Sequence, residues 1–441
     1  MARTRHVIVG GGTAGMNAIT TLRQYDRGAS EIILVSTERP YARMVLPYYL
    51  KGSISESHVY TAHPARLRAL NVEAYLGRRA VRLDPPANTV TLDDDTEIPY
   101  DDLLIATGSS AVRAPVAGAD GQGVHSFWTL EQAQGVIRQI RHGSSVAMVG
   151  AGFIAFTILN AILSHGAQLA VVEIAPQILP RMIDQPGAAV VEQWLRDRSV
   201  SVRTNARLTA IEDAGSQKRL RFEGADDLMA DLVIMATGIR TNLGWLDGSG
   251  VAINRGILVD EHLRSNVPNI YAAGDVAEGK DLVTGQPALH AIEPTAMEHG
   301  RVVGANMAGQ PVVYRGSLLM NIVAVLGLEI ASFGAWDSST AEVFSALKSE
   351  RPAYRKLLWQ GDRLIGAMLL GPEQDVWTTN DVGMLKGLVQ SGTPLGDWKA
   401  YLQHNLFDIK RAFIASGTTA RLLPQTVLGS PSVPAYAVVS G

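Results

Sequence analysis

The chain contains no cysteine. That absence excludes a disulfide, a thiolate nucleophile, a Cys-ligated zinc and an iron–sulfur cluster held by the chain's own thiolates. No metal site is expected, and any one-electron metal relay must sit on a partner. Charge is also scarce: 18% of residues are Asp, Glu, Lys or Arg, against roughly 25% in an average soluble chain. The 39 basic and 42 acidic residues leave a formal charge of −3, with no basic run. Sequence-independent binding to nucleic acid needs Lys and Arg to neutralise phosphates, so a nucleic-acid partner is not expected. Long apolar runs are missing too. The strongest membrane candidate, Leu318 to Trp336, carries Asn321 and Glu329 inside it. An acid at the centre of a membrane helix costs about 3 kcal/mol, and Gly327 and Gly334 suit strands and turns. Buried strands are expected there, with no integral membrane segment. Arg3 and Arg5 are followed at once by HVIVGGGTAG, a strand entering a glycine turn rather than a signal-peptide core. These observations predict a soluble, cytoplasmic protein.

What the chain does hold is apolar residues, at 46%, and 43 glycines in 441 positions. The first excludes intrinsic disorder. The second exceeds the usual share of about 7% and fits repeated tight turns and close backbone approaches. At roughly 150 residues per domain, two to four domains are expected. Two glycine fingerprints divide the sequence. Val7-Ile8-Val9 runs into Gly10, Gly12 and Gly15; Val146 to Val149 runs into Gly150 and Gly152, with Ala155 in the third place. A helical stretch follows each, Met16 to Tyr25 and Phe153 to Leu163, and then a short apolar strand, Ile32 to Val35 and Leu169 to Val172. Strand, glycine turn, helix, strand is the unit of a doubly wound parallel sheet. One such fingerprint is weak evidence; two, each in strand–helix context and each followed by an acid, are strong.

Further landmarks repeat the texture. Leu103 to Gly108 and Leu232 to Gly238 are apolar strands ending in Ala-Thr-Gly, and Asn269 to Asp275 is a strand ending in Gly274-Asp275. From about Tyr314 the pattern reads as alternating strands and helices without a fingerprint. Leu422 to Gly441 has no charge and three prolines and reads as an extended tail.

The order GGGTAG, IATGS, VGAGFIA, VIMATGIR and NIYAAGDVAE resembles the FAD-dependent pyridine nucleotide–disulfide oxidoreductase superfamily over about residues 5 to 415. Within it the chain is similar to the cysteine-free branch, which includes ferredoxin and rubredoxin reductases and the flavin module of NADH-dependent nitrite reductase. It is also similar to the NADH-oxidising flavin subunit of phenylglyoxylate dehydrogenase. The resemblance implies an α/β fold with two Rossmann-like dinucleotide-binding domains, the NAD domain inserted in the FAD domain, plus a C-terminal α+β interface domain. Residues 1–115 and 242–312 would form the FAD domain, 116–241 the NAD domain and 313–421 the interface domain, with 422–441 as the tail.

Gly10, Gly12 and Gly15 let the backbone approach a pyrophosphate, which the following helix N-terminus stabilises. Glu38, the nearest carboxylate past the second strand, is the candidate for the adenosine ribose. Asp275 lies at the sheet's C-terminal edge, where ligands bind; the resemblance places it on the FAD ribityl and pyrophosphate region, Thr107 and Gly108 under the phosphates, and Arg43 against a phosphate. Gly150, Gly152 and Ala155 repeat the arrangement for NADH, with Gly238 closing the second Ala-Thr-Gly. Glu173 ends the second strand of that unit, placed for a ribose 2′-hydroxyl. A carboxylate there repels a 2′-phosphate, and residues 174–177 offer no Arg or Lys, so NADH is expected over NADPH.

Near the flavin ring the sequence departs from its relatives. Ferredoxin reductases tend to place Lys near the reactive nitrogen, where Tyr48 stands here, and Thr157 replaces the Glu that the family usually carries on the second fingerprint helix. The stretch His290 to Gly300 resembles the helix aimed at the flavin's pyrimidine edge, with backbone amides of Ala296 and Met297 stabilising the charge of reduction. His290, Glu293 and His299 are possible proton donors, to be weighed against solvated helix residues.

The expected reaction is hydride transfer from NADH to FAD, then electron transfer to an external acceptor: an iron–sulfur or other redox protein, with the chain an oligomer or a subunit of a larger complex. A stand-alone NADH oxidase or quinone reductase is the second reading. A flavin-binding structural subunit with a vestigial nicotinamide site, suggested by Thr157, is the third.

Overall fold

Strand Arg5–Val9 is apolar and buried from Val7 to Val9, with neighbours flanking it on both sides. It pairs in parallel with Glu31–Ser36 and with Asp102–Ile105, so that Val9 lies opposite Val35 and Ile105. Val72–Leu76 extends one edge and Ile270–Ala272 the other, giving a five-stranded parallel sheet. Near-continuous hydrophobic strands are what a parallel sheet covered on both faces requires. The computed structural model describes residues 3–348 and 350–422; residues 423–441, nearly all of the expected tail, lie outside the described residues.

A second parallel sheet repeats the plan in the order 201–203, 168–172, 145–149, 232–235, 124–126. Strand Ser145–Val149 sits at its centre, as Arg5–Val9 sits in the first. A three-stranded meander, residues 208–230, accompanies it. Chain enters and leaves this unit through one antiparallel ribbon: Ser109–Ala111 pairs with Ile239–Thr241. The two helices that follow the glycine turns run Thr13–Asp26 and Phe153–Ser164.

The C-terminal part does not alternate strands and helices as its sequence suggests. Five antiparallel strands come first, in the order 320–325, 328–334, 363–372, 353–360, 342–348. Helices Val376–Ser391, Asp397–His404, Ile409–Ala415 and Thr418–Arg421 come after them. Tight reverse turns at Gly327 and Gly361, both with positive φ, make hairpins of apolar runs, and antiparallel strands need no crossover helix between them. The span Leu318 to Trp336 forms the first two strands of this sheet. No helix among the described residues is long and apolar enough to cross a membrane.

A single apolar cluster binds the three units. Leu46 and Leu50 of the first, Phe156 and Leu159 of the second, and Val325 and Leu328 of the third are all buried within it. Polar pins reinforce it. Asn160 donates to the Ala324 carbonyl and accepts the Leu326 amide, each at 2.9 Å. Asp184 takes the Tyr354 hydroxyl at 3.0 Å and pairs with Lys356 at 3.2 Å.

Candidate functional site: a cleft shared by two glycine turns

Both glycine turns open onto one cleft of about 2250 Å³. Single-ligand pockets run to about 1,000 Å³, so this one has room for more than one large ligand. Gly10, Gly12, Glu38, Arg43, Tyr48, Thr107, Gly108, Gly274, Asp275, Glu293 and Ala296 line it from one side. Gly150, Gly152, Thr157, Glu173 and Gly238 line it from the other. Gly15, Ala155 and Met297 are not on its wall.

The turns leave no room for side chains where the backbone doubles back. Gly10 has φ of +119°, and a Cβ there would stand 2.0 Å from the Ala106 carbonyl oxygen. Gly150 has φ of +98°, with the Ala236 oxygen 2.4 Å from its would-be Cβ. Gly12 and Gly152 differ: a Cβ on either meets no protein atom within 4 Å and would project into open space. Each is also the N-cap of its helix, and neither helix has a side-chain cap. Uncapped first-turn amides behind an open glycine form an anion cradle. The residues present therefore fit two pyrophosphate groups, one per turn.

Polar side chains knit the walls. Ser36 accepts the Gly11 amide at 3.3 Å and donates to the Glu38 carbonyl at 2.7 Å. The Glu38 carboxylate takes the buried Tyr41 hydroxyl at 3.1 and 3.2 Å; burial pushes that phenol up to about 12. Arg43 reaches toward Glu38 at 3.8 Å and donates to the Ser109 carbonyl at 3.3 Å. Burial raises the Asp275 carboxyl, while the Ser109 hydroxyl bonded to it and nearby Arg43 act in the opposite direction. Thr107 and Asn242 exchange side-chain-to-carbonyl bonds, each of 2.9 Å.

On the second turn, Glu173 accepts the Ala151 amide at 2.7 Å and the Ala175 amide at 2.8 Å. It braces the glycine turn as well as facing the cleft. The adjoining wall is more basic than residues 174–177 suggest, because Arg181 and Arg207 also line it; Arg207 is paired with Glu223 at 3.2 Å. The Thr157 hydroxyl turns back to the Ile154 carbonyl at 2.7 Å. Tyr48 is exposed at the cleft mouth.

Two expectations for the stretch His290 to Gly300, helical from Glu293, need correction. The Ala296 amide is already bonded to the Ile292 carbonyl at 3.1 Å. With proline second in the helix, the donors left over by position are those of Glu293 and Thr295. Neither histidine is solvated: His290 and His299 are 5% and 2% exposed. Burial drives His299 down to about 3, and its Nδ1 accepts the Gly274 amide at 3.2 Å. Burial raises the Glu293 carboxyl against the opposing effect of the Thr13 hydroxyl, 3.4 Å away.

Sequence reading missed Trp128, whose indole Nε1 donates to the Ser109 carbonyl at 2.6 Å on the cleft wall. A signal was available: Thr129 and Gln132 beside it form a capping box.

Residues 4–300 match the pyridine nucleotide-disulphide oxidoreductase family. The chain belongs to that family. Family members bind FAD and NADH, and this protein is an FAD-dependent NAD(P)H oxidoreductase. Among its relatives, the epsilon subunit of NADH-dependent phenylglyoxylate dehydrogenase from Aromatoleum evansii is 29% identical over 403 residues, covering 89% of this chain and 93% of that one. The assimilatory nitrate reductase electron transfer subunit of Bacillus subtilis (strain 168) is 27% identical over 379 residues, covering 85% of this chain; the match spans only 48% of that longer protein. A solved NAD-dependent persulfide reductase from A. fulgidus superposes with a TM-score of 0.82 at 27% identity, covering 89% of this chain and 78% of that one.

Proposed function

We propose that the protein accepts hydride from NADH and passes the electrons to an external iron–sulfur protein, or to the iron–sulfur subunits of a complex of which it is part. The observation that carries this reading is one cleft with two phosphate cradles in a chain without cysteine. Electrons arriving there have no internal disulfide to reduce. The names of two relatives, a subunit of an NADH-dependent dehydrogenase and an electron transfer subunit, support an acceptor carried on another polypeptide.

In this reading residues 1–115 and 242–312 hold FAD, 116–241 hold NADH, and 313–421 close the cleft's third side. FAD supplies the hydride-accepting ring and the ability to release electrons singly. The chain's own residues orient and bind. Gly10, Gly12 and the first turn of helix Thr13–Asp26 cradle one pyrophosphate, with Asp275 and Arg43 beside it. Gly150 and Gly152 cradle the other, and Glu173 faces the ribose, favouring NADH. The apolar cluster beneath holds the two cradles in fixed register, which is the orientation a hydride transfer requires.

Anaerobic titration of the FAD-loaded protein with NADH tests the proposal. Stoichiometric bleaching of the flavin is expected, followed by rapid reoxidation on adding an iron–sulfur acceptor. Flavin that stays oxidised rejects the reading; reoxidation by oxygen or a quinone alone rejects the acceptor.

A further inference from the structure

The proposed reaction leaves a proton unaccounted for. NADH plus two oxidised one-electron acceptors gives NAD⁺, two reduced acceptors and one H⁺, so some group must take the proton as the electrons leave. We propose that His290, oriented by Asp281, is that group. The inference rests on the electron-transfer reading above.

Four observations point to the pair. His290 Nε2 lies 3.0 Å from Asp281 Oδ2. The other oxygen of Asp281 is fixed by three donors: the amides of Val283 and Thr284, at 3.0 and 2.7 Å, and the Thr284 hydroxyl at 2.9 Å. A carboxylate held this firmly sets the imidazole's tautomer, with the proton on Nε2 and the lone pair on Nδ1. Nδ1 has no hydrogen-bond partner among the described residues. Both side chains line the cleft, and His290 stands three residues before the helix Glu293–Met307, whose N-terminus also lines it. A base within the cleft, held by a carboxylate that is itself held, is the arrangement of a general base and its orienter.

The surroundings favour a charge that comes and goes. Burial acts to raise the Asp281 carboxyl, but the His290 bond and the Thr284 amide and hydroxyl together keep it below its ordinary value. It therefore stays anionic to balance an imidazolium. Glu293 begins the adjoining helix, and His299 on that helix is buried and neutral. Tyr314 stacks edge-on to His299 at 4.7 Å and feels the Asp281 charge. Asp337 lines the cleft from the C-terminal sheet. None of these is a competing cation. Asp281 forms a bridge with Ser317, just before the C-terminal strands begin, so the pair stands at the seam between two units. With FAD bound, an N–H bond of its reduced ring would break as the electrons leave, His290 Nδ1 taking that proton and then releasing it to solvent, with Asp281 as a positioning residue.

The test is the midpoint potential of the bound flavin between about pH 5 and about pH 9, the range in which histidine titrates, with dithionite and mediators. The wild type, His290→Asn, His290→Gln and Asp281→Asn are compared, each loaded with FAD. The wild-type curve should carry a histidine-dependent bend that both His290 variants lack. On its acid side the His290 variants should lose at least tenfold in preference for reduced over oxidised cofactor, read as about 30 mV for a two-electron couple. Asp281→Asn should weaken the bend, since the carboxylate that fixes the imidazole's orientation and tautomer is gone. Four superimposable curves would overturn the proposal. Because dithionite replaces NADH, failure of the pair is distinguishable from failure of NADH to reduce the flavin.

Discussion

Asn160, on the helix behind the second glycine turn, donates its side-chain amide to the carbonyl of Ala324 on the C-terminal sheet at 2.9 Å. The same side chain accepts the Leu326 amide, so one residue satisfies both polar groups of a hairpin turn. Asn160 also lines the cleft. Replacing it with alanine leaves a partly buried carbonyl and amide unpaired, a loss of about 2 kcal/mol. Urea denaturation of Asn160→Ala should show that loss, with FAD retention unchanged.

Gly10 and Gly12 should fail in different ways. Gly10→Ala drives a Cβ into the Ala106 carbonyl at a positive φ, strain that costs about 1–3 kcal/mol from the backbone alone. Its melting temperature should fall, and flavin should be lost. A Cβ at Gly12 meets no protein atom. Without FAD, Gly12→Ala should therefore melt like the wild type, while it binds FAD at least tenfold more weakly. Equal flavin retention by Gly12→Ala and wild type, judged by absorbance after gel filtration, would contradict the cradle.

Glu173 couples turn shape to nucleotide choice. Glu173→Ala frees the Ala151 and Ala175 amides and removes the carboxylate that repels a 2′-phosphate. The KM for NADH should rise at least tenfold, about 1.4 kcal/mol. The ratio of kcat/KM for NADH over NADPH should narrow, because Arg181 and Arg207 remain on the wall. Steady-state kinetics with both nucleotides measures the two effects.

Glu298 should make stability depend on pH. Burial raises its carboxyl to about 7, against opposing effects from Ser317, Arg301 and Lys386. The folded protein thus holds a proton that the unfolded chain releases near 4.5. Stability from this group is fully present below that lower value and disappears as pH rises through about 7. Glu298→Gln mimics the protonated form. It should match the wild type at about pH 4 and exceed it by about 2 kcal/mol at about pH 8. Denaturation curves at the two pH values check the sign.

Much of the site was legible because it is local. A strand, a glycine turn and a helix occupy consecutive residues, so Gly10, Gly12, Gly150, Gly152 and Glu173 follow from their spacing alone. Asp275 follows from a strand's end. The rest is made by distant segments. The Ser109 hydroxyl reaches Asp275 across 166 positions, and Thr107 meets Asn242 across 135. The histidines misled for a related reason. His290 lies just before, and His299 within, a helix whose sequence also carries Glu293, Glu298 and Arg301, and nothing local shows that Asp281 and Tyr314, brought from flanking segments, cover them. In the C-terminal part, apolar runs of hairpin length carry no sign of whether a helix intervenes, and only the turns at Gly327 and Gly361 separate the two cases.

The ribbon formed by Ser109–Ala111 and Ile239–Thr241 has a topological consequence. Ala111 and Ile239 are partners on adjacent strands, so the polypeptide departs and returns about 5 Å apart. Everything between them is one continuous insertion, joined to the first unit's chain at this stem alone while its helix Phe153–Ser164 also packs into the shared apolar cluster. Cutting it out and joining the stem with a two-residue reverse turn would leave the flanking strands of the first sheet in their original places.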